Sequence, residues 1–451
     1  MEQEKKESYG PPAICDVSLR DGFQTLFAGR GRTPDMVRMA AIMENIGFWA
    51  VDVWGGISFD VMHRLLNEDP WERLRSLRRY FRNTPMACTF RGQSLVGERN
   101  YADDVVQAFI ERAAAGGISV FRLYDPLNDL RNLEVAARAV RRAGAHLQGC
   151  ICYDRTAANP EDERLYTHAY YLEKLEEMKK LGAHSVCILD SSGLLGPNEV
   201  RLLITELRAA SLLPLHLHTR TTRGLGDLTL FAAIEAGVDG VDTCIMPLAY
   251  RNSLPAVEPL IEALHGTDRA LALPRDLLSD LAHLTESEIL PKYWHSYKGE
   301  LVPVDSFALK WRLPLGIVND MKKQLLQANM ENRLNDAVLE FRRVRKDLGN
   351  PPLMRPLKHM MAVQAVNNTL FDTGSASYRM VASSVRDYCA GLFGTPPSPL
   401  SEDLVQKALS MNEKLKSDST RPGALLEPEL PKIREEVRGL AADIEDELLC
   451  A

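Results

Sequence analysis

Through its first 265 residues the chain alternates two kinds of segment. Short apolar, β-branched runs begin at Ala13 (AICDVSL), Trp49 (WAVDVW), Met86 (MACTF), Ser119 (SVFRLYD), Leu147 (LQGCICY), Ser185 (SVCILD), Pro214 (PLHLHT) and Asp239 (DGVDTCI). Between them lie segments such as DMVRMAAIMENIG and YLEKLEEMKKLG, in which apolar residues repeat at three and four positions and a glycine closes the helix. Strands that alternate with helices pair in parallel, and eight such repeats close into a barrel. The predicted fold is therefore α/β, a (β/α)8 TIM barrel over residues 13–265. After Gly266 the pattern becomes longer, more charged helical stretches, which predicts a mainly helical C-terminal domain over 266–451 that completes the active-site funnel.

Composition narrows the class of partner. The net charge of -7 argues against a nucleic-acid binder, which would normally show a basic face, and no apolar run approaches the roughly 18 residues that span a bilayer. The eight cysteines are scattered, mostly inside strand-like runs, as reduced buried thiols of a cytoplasmic protein would be. Cys150 and Cys152 make a Cys-x-Cys pair without a second pair at metal-site spacing, and are read as structural. The MEQEKKESYG start has neither the charge pattern nor the apolar segment of a signal peptide.

In such barrels the chemistry sits at the C-terminal ends of the strands. The polar residues expected there include Arg20, Asp21 and Gln24 after the first strand, Arg91 after the third, and His216 and His218 on the seventh. Residues two apart on a strand share a face, so both imidazoles would enter the barrel mouth, where two unpartnered rings are costly. A shared divalent metal, completed by Asp21, would resolve that cost; two hydrogen-bonded core histidines are the alternative. Arg20 and Arg91 would set cationic donors beside a bound 2-oxo acid, unless either makes a structural ion pair with Asp60 or Asp125.

The segments DVSLRDGFQTLFAGRGRT, VDVWGGISFDVMHRLLNEDPWERLRSLR, FRGQSLVGERNYADDVV, FRLYDPLNDLRN, HLHT and RPGALLEPEL together resemble the carboxyltransferase family. It comprises the carboxyltransferase domain of pyruvate carboxylase, the oxaloacetate decarboxylase α subunit and the transcarboxylase 5S subunit. The likeness runs from about Ala13 to about Leu430. A wider group, isopropylmalate synthases and hydroxymethylglutaryl-CoA lyases, shares the Arg-Asp-Gly-x-Gln and His-x-His motifs. The resemblance implies metal ligands at Asp21, His216 and His218 for zinc, manganese or cobalt, a catalytic arginine at Arg20, and Gln24 and Arg91 holding the 2-oxo acid. It also implies biotin supplied in trans on a carrier protein, since no Ala-Met-Lys-Met sequence is present. A homodimer is expected.

Several positions depart from the family pattern. Where the family has a carbamylated lysine as fourth metal ligand, CILDSSG offers Leu189, and where it has the threonine that shuttles a proton, LMRPLKHMM offers Arg355 and Lys358. The histidine after Arg-Asp is Phe23, and the tyrosine of the third-strand loop is Glu98. Three readings follow. One is a biotin-dependent carboxyltransferase or decarboxylase acting on pyruvate or oxaloacetate through a metal-stabilised enolate. Another is a biotin-independent lyase or aldol-type enzyme whose larger anionic substrate meets Arg355 and Lys358. The third is a non-catalytic subunit of a carboxylase assembly.

Overall fold

The computed structural model describes residues 9–97, 99–155, 164–297, 311, 313–372, 377–410, 420–441 and 443–451. Eight parallel strands close into one barrel in chain order: β1 (Ala13–Asp16), β2 (Ala50–Gly55), β3 (Met86–Arg91), β4 (Ile118–Tyr124), β5 (His146–Cys152), β6 (Ser185–Asp190), β7 (Leu215–Thr219) and β8 (Gly240–Thr243). Closure is the β1–β8 pairing, Ala13 to Gly240 through Asp16 to Thr243. A helix follows every strand, from Thr33–Met43 after β1 to Val257–Leu264 after β8. His168–Leu181 shows how sequence sets such a helix: the Thr167 hydroxyl accepts from Tyr170 N, and Gly182 ends it in the left-handed region.

β1 stops earlier than its apolar run does. The Asp16 carboxylate accepts from the Ser18 amide and the Ser18 hydroxyl, both at 2.9 Å, and this local bonding turns the chain into the tight helical turn Ser18–Gly22 that carries Arg20 and Asp21.

Beyond the barrel the described chain is helical, with its longest helices at Leu315–Gln327, Leu334–Asp347 and Leu357–Phe371. Part of it crosses the mouth. Leu353 N donates to Asp154 at 2.6 Å, Ser192 Oγ to Leu353 O at 3.2 Å, and Met354 packs on Leu189, Cys152 and Cys187. Lys358 follows in the first turn of Leu357–Phe371. All eight cysteines are free thiols, and only Cys450 is exposed. Among the described residues no helix is long and apolar enough to cross a membrane.

Candidate active site

A buried chain of alternating charges runs through the barrel interior. His216 Nε2 and His218 Nδ1 each lie 2.6 Å from an oxygen of Asp242 on β8. Asp242 Oδ2 meets Arg122 Nη2 of β4 at 2.7 Å, and Arg122 Nη1 stands 3.7 Å from Asp52 Oδ2 on β2. The same Asp52 oxygen accepts from Arg20 Nη2 at 2.6 Å and Nε at 3.0 Å, and from Thr89 Oγ1 at 2.7 Å. Arg20 Nη1 then reaches Asp21 Oδ2 at 2.6 Å, and Arg220 Nη2 meets that oxygen at 2.8 Å. Taking these ions from water costs several kcal/mol each, so the arrangement persists only because every charge meets its opposite.

The electrostatics follow from the pairing. Burial pushes the Asp242 carboxyl up, but Arg122 and the imidazoles outweigh it and hold the group well below the usual carboxylate range. Burial likewise raises Asp21, and Arg220 then Arg20 overcome it, so Asp21 is also held low. Burial lowers His216 against the pull of Asp242, which keeps that imidazole neutral.

The two histidines share a face, as the strand period requires, but not a depth. At about 3.3 Å of rise per residue they lie roughly 7 Å apart along β7. His216 sits at the N-terminal end, its ring 5.6 Å from that of Trp49, and Gly240 leaves it room: a Cβ there would fall 2.4 Å from His216 Nδ1. His218 lies one period nearer the mouth, on the Asp21 side of the barrel.

The expected metal set is therefore not assembled. His216 lies away from the mouth, and the oxygens of Asp21 are held by Thr25, Arg20 and Arg220. Among the described residues no group of three His, Cys, Asp or Glu side chains is placed to hold a metal ion. The donors present do not fit a three-ligand zinc, manganese or cobalt centre. The position expected of a lysine ligand is closed as well, because Leu189 is 5% exposed beneath Met354.

Other expected residues are at the mouth. Arg91, at the C-terminal end of β3, is 5% exposed; its Nη2 donates to the carbonyls of Val96 at 3.2 Å and Gly97 at 2.5 Å, and its buried Nε has no partner. No carboxylate of the described residues pairs with it. Arg20 pairs with Asp52 rather than Asp60 or Asp125: Asp60 meets Arg64 at the surface, and Asp125 accepts from Asn132 and the amides of Leu127 and Asp129. Gln24 is half-buried in Phe23–Phe27, and Phe23 packs edge-on against Tyr293. Lys358 is half-buried, and burial, Arg220 and Arg355 push its ammonium down to about 8. Glu98 lies outside the described residues.

Sequence reasoning misses Arg220, Arg122, Asp52 and Asp242 as members of the site. A signal for three of them is present: a charged residue at a barrel-facing position inside an apolar strand run, FRLYD, VDVW and GVDTC. For Arg220 the signal is the two-residue period continued one step past His218.

Residues 309–451 match the conserved carboxylase domain family and residues 99–285 the HMGL-like family. A pyruvate carboxylase subunit of Methanocaldococcus jannaschii is 37% identical over 444 residues, 97% of this chain and 75% of that protein. The methylmalonyl-CoA carboxyltransferase 5S subunit of Propionibacterium freudenreichii subsp. shermanii is 34% identical, over 95% of this chain and 82% of that one. Among solved structures, the carboxyl transferase domain from Rhizobium etli pyruvate carboxylase with pyruvate and biocytin superposes with a TM-score of 0.89 at 30% identity, covering 98% of this chain and 75% of that one. With identity at this level across nearly its whole length, and the same barrel and helical extension, the chain belongs to the carboxyltransferase family that includes the archaeal pyruvate carboxylase subunit and the transcarboxylase 5S subunit.

Proposed function

We propose that this protein transfers a carboxyl group to or from a 2-oxo acid of the pyruvate and oxaloacetate class, with biotin carried to it on a separate protein. The observation that supports this most directly is Arg91. A buried guanidinium without a carboxylate partner, one of its N–H groups unpaired, leaves a full positive charge uncompensated at the barrel mouth. A substrate carboxylate supplies what is missing, in a bidentate or single charge-assisted contact. The relative solved with pyruvate and biocytin is a precedent for both ligand classes on this fold.

Biotin, when delivered, carries the carboxyl group. The rest falls to this chain. Arg91 binds and orients the acid, Gln24 stands in the helix Phe23–Phe27 that follows the Arg20–Asp21 turn, and the Asp52–Arg20–Asp21 pairing fixes the Arg20 guanidinium that faces developing negative charge.

One observation favours the second reading, a biotin-independent decarboxylase or lyase acting on a larger, more anionic substrate. Lys358 stands near Arg220 and Arg355, and Asp320 and Asp21 only partly offset the cations around it. The two readings separate in one assay. Oxaloacetate decarboxylation is measured with and without free biotin, and oxamate binding by calorimetry in the parent and in Arg91→Ala. Biotin stimulation in the parent with oxamate binding lost in Arg91→Ala is the expected result. Turnover indifferent to biotin moves the assignment to the lyase, and equal oxamate binding by both proteins removes Arg91 from it.

A further inference from the structure

The structure assigns to Arg220 the place of the electrophilic cation at the barrel mouth: its guanidinium, rather than a metal ion, occupies the open side of Asp21 and donates to the enolate oxygen of the substrate. This inference rests on the reading of the substrate as a 2-oxo acid.

Position comes first. Arg220 follows Thr219, the last residue of β7, and stands two residues beyond His218 on the same face. Its side chain is 13% exposed, against 1% for Asp21, so it is the member of the buried charge series nearest the open mouth.

The guanidinium is then fixed on one side only. Nη1 donates to Thr25 Oγ1 at 2.7 Å and Asn252 O at 2.8 Å, which uses both of its hydrogens, while Nη2 donates to Asp21 Oδ2 at 2.8 Å. A second Nη2 hydrogen and the Nε hydrogen remain for a ligand. A donor immobilised in this way costs no reorganisation when charge develops opposite it.

Charge balance gives an independent argument. Asp242, Asp52 and Asp21 alternate with Arg122, Arg20 and Arg220, so Arg220 brings the aspartates and arginines of the series to equal number. Without it one negative charge would be unmatched at the mouth, the condition that favours a metal ion. With it, a divalent ion at Asp21 would confront two guanidiniums on the same oxygen.

The step it serves is balanced without a metal. In oxaloacetate decarboxylation the C3–C4 bond breaks and carbon dioxide leaves. The bonding pair becomes the C2–C3 enolate with its charge on the C2 oxygen, where Arg220 donates, and C3 then takes a proton from water. In carboxylation the N–C bond of carboxybiotin breaks, the C3 proton passes to the freed biotin nitrogen, and C3 of the enolate bonds the released carbon dioxide.

The test reads metal content separately from activity. The full-length protein, equilibrated with zinc, manganese or cobalt and desalted, is expected to retain well under one metal per chain by elemental analysis. R220H, which sets a third donor beside His218 and Asp21, is expected to retain one. Chelators should leave parent oxaloacetate decarboxylation unchanged, and Arg220→Gln should lower its kcat about 100-fold, the scale of a lost oxyanion donor, with Arg220→Lys restoring part of it. A parent chain holding one metal that Asp21→Asn releases overturns the inference, as does an R220H protein of native circular dichroism that takes up none. Parent protein without metal that also fails to turn over oxaloacetate overturns the substrate reading and leaves the metal stoichiometries to judge Arg220.

Discussion

Lys358 offers a sharp test of whether the mouth is built for anions. Its ammonium falls from the ordinary 10.5 to about 8 because it is buried and faces Arg220 and Arg355, with Asp320 and Asp21 only partly offsetting them. Such a lowering corresponds to roughly 3 kcal/mol of penalty on the charged form. The side chain is only half-buried, so solvent screening reduces this to about 1–2 kcal/mol of folding stability. Lys358→Met, which keeps most of the length and removes the charge, should therefore raise the unfolding free energy from urea denaturation at pH 7 by that amount. The sign follows from linkage. Below pH 8 both states carry the proton and the penalty is complete. Between about 8 and 10.5 the folded chain has lost the proton while the unfolded chain keeps it, so parent stability rises with pH and the advantage of the variant shrinks. A bound anion should reverse the lowering. Oxamate binding at pH 8, measured in two buffers of different ionisation enthalpy, should take up about half a proton per chain in the parent and none in the variant. A Lys358→Met protein no more stable than the parent at pH 7, or a parent that takes up no proton, refutes the reasoning.

Asp242→Asn leaves Arg122 and the two imidazoles without their shared anion and should cost about 3–5 kcal/mol by urea denaturation. Because the Asp242 carboxyl is held below its ordinary 3.8, the parent keeps this contribution above that value and loses it only as pH falls through the lower folded value, so the gap between parent and variant should be level near neutrality and close in strong acid. Leu189→Lys puts an ammonium beneath Met354 and beside Cys152 and Cys187, and should lower stability by about 2–4 kcal/mol, with bicarbonate failing to restore it.

The barrel is legible in the sequence because its signal is local and repeated. Each apolar run lies within a few residues of the strand it becomes, and β5, β6 and β7 begin within one residue of the runs LQGCICY, SVCILD and PLHLHT. The one clear overrun, AICDVSL, ends early because Asp16 bonds to Ser18, a side-chain to backbone competition that hydrophobic periodicity does not register. The mouth arginines are also legible: Arg20 stands in the turn after β1 and Arg91 at the end of β3, where the fold class puts function.

The metal set fails for a reason that lies in three dimensions. Periodicity of two says that His216 and His218 share a face, and they do. It says nothing of what stands on that face opposite them. Asp242 comes from β8, Arg122 from β4, Asp52 from β2, Arg20 and Asp21 from the turn after β1, and Arg220 from the end of β7. No window of sequence holds any three of these strands' contributions, and each charge taken alone reads as an oddity inside an apolar run. Barrel closure brings them into one line. Once there, low dielectric makes an unmatched charge too costly to keep, so each charge is met by a neighbour: Asp242 holds one nitrogen of each histidine, and Arg220 joins Arg20 on the Oδ2 of Asp21. A Lewis-acid site and a guanidinium site thus differ here by which cation completes the series at its open end, and that choice is made two residues beyond the motif that suggested the metal.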